Sequence, residues 1–491
     1  PPLVLFSTTP DTAAHTGSGV VLNNTSGGGF IKILNSSDGY QFNSNAALGL
    51  QVNTNGALTI AKSVFAYNYA SNASLQAGGA VNISASSFVV STTARGLEVW
   101  AGGAATLIED SFVSNKMEGL YLDTTGGSGS VTLTRIASNY NHKTGVEVYS
   151  AGSITVNSVD IQGHSDAGSS GLRLTNTASP TSAGVTLLGS YGTNLFDTCS
   201  VNCIAINTNG SVSLSKVSAR GTTTGDTISI NTTGGSGNVT LNDVSASVGK
   251  LWGISIQTQG KVTAEQVNAE KNQAGGMHVD NTWGSLNRDV LISRGIFKEN
   301  TGHGLQIETK GNIVIKTITS SENYAGGSGL FVDSTHGSGT VQVLDTYGKN
   351  IFSNNNGNGI FILSNGAISI KNADADDNDN HGIYLESEAG VSISGGEIKR
   401  NRYHGIYTNA KAGITIQNVV DRYNSLSGSG YRGIQIVSHG TNALIKNSVV
   451  TGNYAGGIDA SMSGGTLTLQ GVYYYGNNIG GYGGIFNLAS D

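Results

Sequence analysis

Apolar and polar residues alternate in short runs along this chain, and the runs return at a regular interval. The recurring unit is a glycine followed by two aliphatic residues with one variable residue between them. Its clearest copies begin at Gly19, Gly96, Gly119, Gly145, Gly171, Gly253, Gly304, Gly329, Gly359, Gly382, Gly405, Gly433 and Gly484. Intervals between neighbouring copies average about 26 residues, a period typical of solenoids. The pattern therefore predicts a chain of repeated coils.

Each interval has the same internal order. The glycine-led strand is followed by a small turn, by a second alternating strand such as 131–133 or 368–370, by a third short strand and by a polar corner. Alternate residues of a strand point to opposite faces, so the aliphatic positions face inward. Because the chain always travels the same way round, equivalent strands of successive coils must pair in parallel. The sequence predicts an all-β parallel β-helix of about 18–19 coils with three short strands per coil.

Glycine and asparagine recur at fixed places in this coil. The leading glycine is expected to provide either a positive φ or a close backbone approach. The corner asparagine is expected to tolerate the left-handed conformation and to bond a neighbouring backbone. The asparagines concerned are Asn139, Asn323, Asn378, Asn401, Asn424 and Asn453.

The chain shows no linker or change of composition between residues 19 and 491, which predicts one β-helix domain over that range. Residues 1–18 form an N-terminal segment, interpreted as a cap or an inter-subunit contact. Segment 1–6 is apolar, and 484–491 reads as the start of another coil. Open strands at both ends favour end-to-end association into a homopolymer, or attachment to the rest of a longer surface protein.

Composition narrows the class further. Gly accounts for 71 of 491 residues without a triplet period, only 12% of residues are charged, and the formal net charge is −6. Collagen is excluded, and the regular β-branched residues argue against disorder. No basic run points to nucleic acid, and no apolar stretch is long enough for a membrane helix.

The two cysteines, Cys199 and Cys203, lie in one corner. A lone pair with this spacing lacks the further ligands of a structural zinc site, so a local disulfide is predicted. Cys203 occupies the position that a glycine fills in other coils. A disulfide in turn favours an extracellular or cell-surface location.

These repeats resemble those of the right-handed parallel β-helix proteins, the superfamily of pectate lyases. The Gly-Ser-Gly corners at 127–129, 235–237 and 337–339, each close before an alternating strand, are most similar to the long β-helix arrays of large bacterial surface proteins and adhesins. The resemblance implies a right-handed coil. It implies no activity, because the repeat encodes the coil and not a site.

Catalytic motifs are sparse. Gly302-His303-Gly304 matches one motif of polygalacturonase-like enzymes, but the coil upstream has Asp280 without a paired aspartate, and the basic motif is missing. We therefore assign no catalytic residue and expect a protein that is not an enzyme. If it is one, the resemblance implies a polysaccharide lyase or a glycoside hydrolase.

An acidic cluster occupies one corner and contains Asp374, Asp376, Asp377 and Asp379. Carboxylates crowded together can bind Ca²⁺ or act as an acid/base pair. They can also form a solvated corner, which is the favoured interpretation because neighbouring coils have Asn and Ser there. Ca²⁺ is the one cofactor that the sequence brings into consideration.

An outward aromatic row lies on four consecutive coils, flanked by histidines. Its members are Phe331, Phe361, Tyr384 and Tyr407, with His381 and His404 beside them. Such a row can stack on a glycan or contact another protein, and it can equally stabilise parallel strands. The sequence as a whole favours a non-catalytic extracellular structural or adhesive rod. The alternatives are a polysaccharide-active enzyme and a carbohydrate-binding module.

Overall fold

The computed structural model describes residues 17–26, 28–34, 40–164, 166–178, 183–426 and 430–480, and the backbone of Phe486–Ser490. Most of the N-terminal segment 1–18 and much of the end at 484–491 lie outside the described residues. The expectations for a cap and for end-to-end contacts fall on these parts. The chain divides into two compact units. Unit 1 comprises Pro1–Thr240 with Val244–Lys250, and unit 2 comprises Leu241–Asp243 with Leu251–Asp491.

The strands of unit 1 are β1 Val20–Asn24, β2 Ile31–Leu34, β3 Tyr40–Asn43, β4 Leu50–Thr54, β5 Leu58–Ala61, β6 Ser63–Ala66, β7 Ala73–Ala77, β8 Val81–Ser84, β9 Ser87–Val89, β10 Leu97–Ala101, β11 Ala105–Ile108, β12 Ser111–Val113, β13 Leu120–Asp123, β14 Val131–Thr134, β15 Ala137–Asn139, β16 Val146–Tyr149, β17 Ile154–Asn157, β18 Asp160–His164, β19 Leu172–Asn176, β20 Val185–Leu188, β21 Asn194–Cys199, β22 Ile204–Thr208, β23 Val212–Thr222 and β24 Ile228–Asn231. Strand β25, Val239–Ser247, has residues assigned to both units.

The strands of unit 2 are β26 Trp252–Gln257, β27 Val262–Glu270, β28 Gly275–Asn281, β29 Val290–Ser293, β30 Ile296–Lys298, β31 Leu305–Thr309, β32 Ile313–Lys316, β33 Thr319–Ser321, β34 Leu330–Ser334, β35 Val341–Leu344, β36 Asn350–Ile351, β37 Ile360–Ser364, β38 Ile368–Lys371, β39 Ala373–Asp376, β40 Ile383–Ser387, β41 Val391–Ser394, β42 Glu397–Lys399, β43 Ile406–Ala410, β44 Ile414–Gln417, β45 Val420–Arg422, β46 Ile434–His439, β47 Ala443–Lys446, β48 Val449–Thr451, β49 Ile458–Ser463, β50 Leu467–Gln470, β51 Tyr473–Tyr475 and β52 Phe486–Ser490.

Within each unit, the strands of one coil pair in parallel with the equivalent strands of the next. In unit 1 the glycine-led strand β13 pairs with β16, with Leu120 opposite Val146. In unit 2 the glycine-led strand β40 pairs with β43, with Ile383 opposite Ile406. The predicted fold is confirmed: the described residues are all-β and form a right-handed parallel β-helix of about 18 turns with three strands per coil. The described residues contain no helix, and hence none that is long and apolar enough to cross a membrane.

The core of each unit lies inside its coils, as the alternation predicts. In unit 1, four inward phenylalanines of successive coils stack with ring centroids 4.6, 4.7 and 5.2 Å apart. They are Phe42, Phe65, Phe88 and Phe112. Full burial of a side chain of this size contributes about 1.5–3 kcal/mol. The inward positions therefore hold the coils together, and the outward positions are left free for other roles.

The leading glycines within the described residues serve a close approach and not a positive φ. A Cβ at Gly382 would lie 2.7 Å from the carbonyl oxygen of Gly405 and 2.6 Å from the Asn401 amide nitrogen. Both distances are far below van der Waals contact. The coil can close at this corner only because the residue has no side chain.

The corner asparagines bond a neighbouring backbone as expected, since Asn378 Nδ2 donates to the Phe352 carbonyl at 3.0 Å, but they do not adopt the left-handed conformation. At Asn139 the following residue, Tyr140, has the positive φ. At the other five positions the positive φ falls on the residue before the asparagine, such as Asp377 before Asn378 and Arg400 before Asn401. The asparagine is buried instead, and Asn378 Nδ2 donates to Asn401 Oδ1 at 2.9 Å. The same bond repeats along unit 2 and forms an amide ladder. Its members are Asn272, Asn300, Asn323, Asn355, Asn378, Asn401 and Asn424.

Candidate functional site

The outward aromatic row of unit 2 forms one continuous stack. Phe331, Phe361, Tyr384 and Tyr407 are half-buried, and their ring centroids are 5.3, 4.9 and 4.6 Å apart along the row. The interplanar angles are 15°, 19° and 9°, so the rings lie nearly parallel. His303 adds a fifth ring, 4.9 Å from Phe331.

This stacking covers the ring faces against which a sugar would pack. A sugar packs against the flat face of an aromatic ring, and here the faces within the row are covered by the neighbouring rings. Beyond Tyr407, the paired residue of the next coil is Gln435. The geometry therefore favours the interpretation in which the row stabilises the parallel strands.

The histidines beside the row act as hydrogen-bond acceptors. His381 Nδ1 accepts from the backbone N–H of His404 at 3.2 Å, and His404 Nδ1 accepts from that of Arg432 at 2.8 Å. An accepting Nδ1 requires the neutral ring with the proton on Nε2. Burial lowers the pKa of His381 to about 4 and that of His404 to about 3, which keeps both rings neutral.

The acidic corner forms ion pairs. Asp374 lies 3.0 Å from Lys349 Nζ, Asp376 lies 3.4 Å from Lys399 Nζ, and Asp377 pairs with Arg400. The remaining member, Asp379, is exposed.

The calcium interpretation of this corner is not supported. In the described part of the chain, no three acidic, histidine or cysteine side chains are placed to hold a metal ion. The physical reason is that Asp374, Asp376 and Asp377 each reach a different cation. The paired Lys and Arg residues come from other segments, and their approach could not be inferred from the local sequence.

His303 of the Gly302-His303-Gly304 motif has a structural environment. Its Nδ1 accepts from the backbone N–H of Ser328 at 3.0 Å, and its ring stacks on Phe331. Burial lowers its pKa, with a further contribution from His278. These contacts of the neutral His303 ring, with a backbone donor and an aromatic face, indicate a role in packing.

The cysteine corner has the geometry that the sequence indicates. Cys199 and Cys203 form a disulfide with Cα atoms 5.2 Å apart. Leu172, which follows a leading glycine, pairs with Ile204, so Cys203 stands at a glycine position. Both cysteines are buried. The bond closes the corner just before the strand β22.

A second outward surface lies in unit 1, on the glycine-led strands β10, β13 and β16. Its rings are Trp100, Tyr121 and Tyr149, with centroids 6.0 and 5.8 Å apart. In contrast to the row in unit 2, these rings are tilted by 53° and 46°, so their faces do not cover one another. Trp100 is 37% exposed. We call these three residues the aromatic platform.

Charged groups hold the aromatic platform in place. The Arg95 guanidinium lies 4.3 Å from the Tyr121 ring centroid, and its Nε donates to Glu118 at 2.7 Å. The Tyr149 hydroxyl donates to Glu147 at 2.9 Å.

Burial, followed by nearby carboxylates, raises the pKa of both Tyr121 and Tyr149. Their phenols are therefore protonated at neutral pH. In that form the Tyr149 hydroxyl donates to Glu147, and the Tyr121 hydroxyl can donate a hydrogen bond to a ligand.

A groove of about 430 Å³ adjoins the platform at Trp100. Its lining offers uncharged hydrogen-bonding side chains and one carboxylate. They are Asn53, Asn55, Gln76, Thr125 and Asp123. An exposed aromatic face beside amides and hydroxyls is an arrangement that recognises a sugar, because a sugar has an apolar C–H face and polar edges.

Sequence reasoning overlooked this platform. The variable residue of the glycine-led strand is Glu98, Tyr121, Glu147 and Arg173 on four successive coils, and these residues pair in register. The row of unit 2 lies at the same variable position of its glycine-led strands. The signal is weaker because Trp100 and Tyr149 lie two residues further along their strands than Tyr121 does, so no single column is aromatic.

The match to one family model agrees with the fold. Residues 317–479 match the family described as right handed beta helix region. The A-module of the Azotobacter vinelandii mannuronan C-5 epimerase AlgE6 is 13% identical, with 84% of this chain and 90% of that one covered and a TM-score of 0.29. The AlgE4 A-module of the same organism is 10% identical, with 86% and 89% covered and a TM-score of 0.28. No curated protein matches the sequence. These likenesses assign no activity to this chain.

Proposed function

We propose that this protein is a non-catalytic β-helix that binds a polysaccharide on the outward face of the glycine-led strands in unit 1. The observation that carries the proposal is the aromatic platform of Trp100, Tyr121 and Tyr149 beside a groove of about 430 Å³. The Trp100 ring is exposed and is not stacked face to face on a neighbouring ring, whereas the rings of the row in unit 2 cover one another.

The parallel fold supports binding of an extended chain. Successive coils place equivalent side chains at the spacing of parallel strands, about 4.8 Å. The platform spans three coils, and the groove lining continues onto the strands β4 and β7 through Asn53 and Gln76. A glycan chain lying across these strands would contact side chains of several coils at once, whereas a single sugar is too short to do so.

Titration calorimetry with a panel of oligosaccharides tests the proposal. The panel contains cello-, xylo- and laminari-oligosaccharides and oligogalacturonate. Saturable binding to at least one member is expected, and Trp100→Ala should weaken it by roughly tenfold or more, as truncation of a central tryptophan does. Tyr69→Ala is the matched control, because Tyr69 is an aromatic side chain of unit 1 that is 59% exposed and does not line the groove.

Two results would contradict the proposal. The first is the absence of saturable binding to any panel member by a protein whose circular dichroism shows the β fold. The second is equal binding by wild type and Trp100→Ala. Release of unsaturated or reducing sugars from a bound member would replace the binding role with that of a polysaccharide lyase or hydrolase.

The proposal places the protein outside the cell or at its surface, as part of a structural or adhesive rod. The short disulfide loop of Cys199 and Cys203 supports this location, because such bonds persist in oxidising compartments. Fractionation of the native source with an antibody against this chain would test it. Recovery only from the reducing interior of the cell would contradict it.

A further inference from the structure

We propose that Asp123 makes the groove of unit 1 selective for uncharged sugars by excluding acidic ones. The inference rests on the proposed function, since it concerns which glycan the same groove accepts. It assigns Asp123 a role in specificity that the binding proposal alone does not require.

The charge of the groove has one sign. Among the described residues that line it, Asp123 is the only one with a charged side chain. The remaining polar lining is made of amides and hydroxyls, which can both donate to and accept from sugar hydroxyls. A carboxylated sugar would therefore meet hydrogen-bonding groups that suit it and a like charge that does not.

In the part of the chain that the structure describes, the two guanidinium groups at the adjoining platform are paired and so are not free to bind an acidic sugar. Glu98, Glu118 and Glu147 surround the platform. Arg95 contacts Glu98 and Glu118, and Arg173 contacts Glu147 at 3.2 Å. With Asp123 included, the surface carries two more carboxylates than guanidiniums, so its field repels a polyanion.

Half of the Asp123 carboxylate serves the turn after β13. Its Oδ1 accepts from the backbone N–H of Thr125 at 2.7 Å and from the Thr125 hydroxyl at 2.6 Å. The same turn occurs in unit 1 with an asparagine, where Asn231 Oδ1 accepts the two equivalent bonds from Thr233 at 2.9 and 2.8 Å. Asparagine therefore preserves this turn, and Asp123→Asn removes the charge while keeping the fold.

The experiment compares wild type with Asp123→Asn, using the best neutral oligosaccharide of the panel and oligogalacturonate of equal length. Wild type should bind the neutral ligand at least tenfold more tightly. Asp123→Asn should narrow that ratio by about fivefold in low salt, since a like charge near contact is worth roughly that factor in water. This change in the affinity ratio should become smaller above 0.5 M salt, where the Debye length falls to a few ångströms.

Asp333→Asn is the matched control. Asp333 accepts the same two bonds from Thr335, at 3.0 and 2.6 Å, but it belongs to unit 2 and does not line the groove. It changes the net charge by the same amount and should leave the ratio unchanged.

The outcomes separate the two proposals. Preference of wild type for oligogalacturonate, with binding still dependent on Trp100, would overturn the selectivity and leave the binding function standing. An unchanged ratio in Asp123→Asn, or an equal change in Asp333→Asn, would also overturn the role of Asp123. Absence of Trp100-dependent binding to every ligand would overturn the function itself.

Discussion

Asp421 should make this protein less stable as the pH rises. It lies on the strand β45, where its register partners on the neighbouring coils are Ile398 and Val450, so it takes an inward position. It is fully buried, and Oδ2 accepts from Asn424 Nδ2 at 3.2 Å while Oδ1 accepts from Asn453 Nδ2 at 2.8 Å. At this coil the Nδ2 groups of Asn424 and Asn453 bond Asp421, and these bonds replace the Nδ2-to-Oδ1 bond that joins successive asparagines elsewhere in the ladder.

Burial raises the pKa of Asp421 to about 8, and the two amides offset only part of that effect. The folded state therefore holds a proton that the unfolded state releases near pH 4. Between these values the folded state binds more protons, so the free energy of unfolding falls as pH rises. At about 1.4 kcal/mol for each pKa unit, the loss between pH 4 and pH 8 is on the order of 5 kcal/mol.

Asp421→Val tests this reasoning, because valine matches the apolar neighbours. Both amides keep a second acceptor in the variant. Asn424 Nδ2 still bonds the Ile398 carbonyl at 3.0 Å, and Asn453 Nδ2 still bonds Asn477 Oδ1 at 3.0 Å. Relative to wild type, the variant should gain stability steadily as the pH rises from 5 to 8, by several kcal/mol in total, and the difference should change little above pH 8.

Urea denaturation followed by circular dichroism at pH 5, 7 and 9 measures the effect. Asp379→Val is the control, because it removes an exposed acid of the same unit and changes the net charge by the same amount. Burial also raises the pKa of Asp110, in unit 1, to about 7, so only the difference between variant and wild type isolates Asp421. A difference that is constant from pH 5 to pH 9 would refute the reasoning.

Three further predictions concern other parts of the chain. His404→Asn should reduce unfolding in acid, because the pKa of His404 is lowered to about 3 in the folded state. The contribution of the neutral ring to stability is complete above pH 6.5 and is lost as the pH falls toward 3. Thermal melts at pH 4 and pH 7 measure this, and an equal difference in Tm between variant and wild type at the two pH values would contradict it. Native material from an oxidising source should contain no free thiol at Cys199 or Cys203, and the double serine variant should lose about 2 kcal/mol or less; two free thiols by mass spectrometry would contradict the bond. Deletion of residues 382–404, one full coil, should leave a folded protein, whereas deletion of 382–393 should cause misfolding because it breaks the register; equal circular dichroism and protease resistance of the two deletions would count against the register.

The sequence alone determined the coil. Alternation with a period of two decides which side chains face inward, and the leading glycine marks each return of the chain. The pairing of Ile383 with Ile406 and of Leu172 with Ile204 follows from that pattern, because a slip of one residue would expose the whole inward face. The site of Cys203 at a glycine position follows in the same way.

The tertiary structure decided what the outward side chains do. The sequence places Phe331 and Phe361 in one column, but only the structure shows that their faces cover each other, since ring orientation depends on side-chain torsions that the repeat does not encode. Trp100 and Tyr121 lie in different columns, and their tilt and separation arise from the packing of two coils. The pairing of Asp377 with Arg400 across coils is likewise visible only in the structure. The repeat fixes the inside of a β-helix, whereas contacts between neighbouring coils fix the surface on which its function depends.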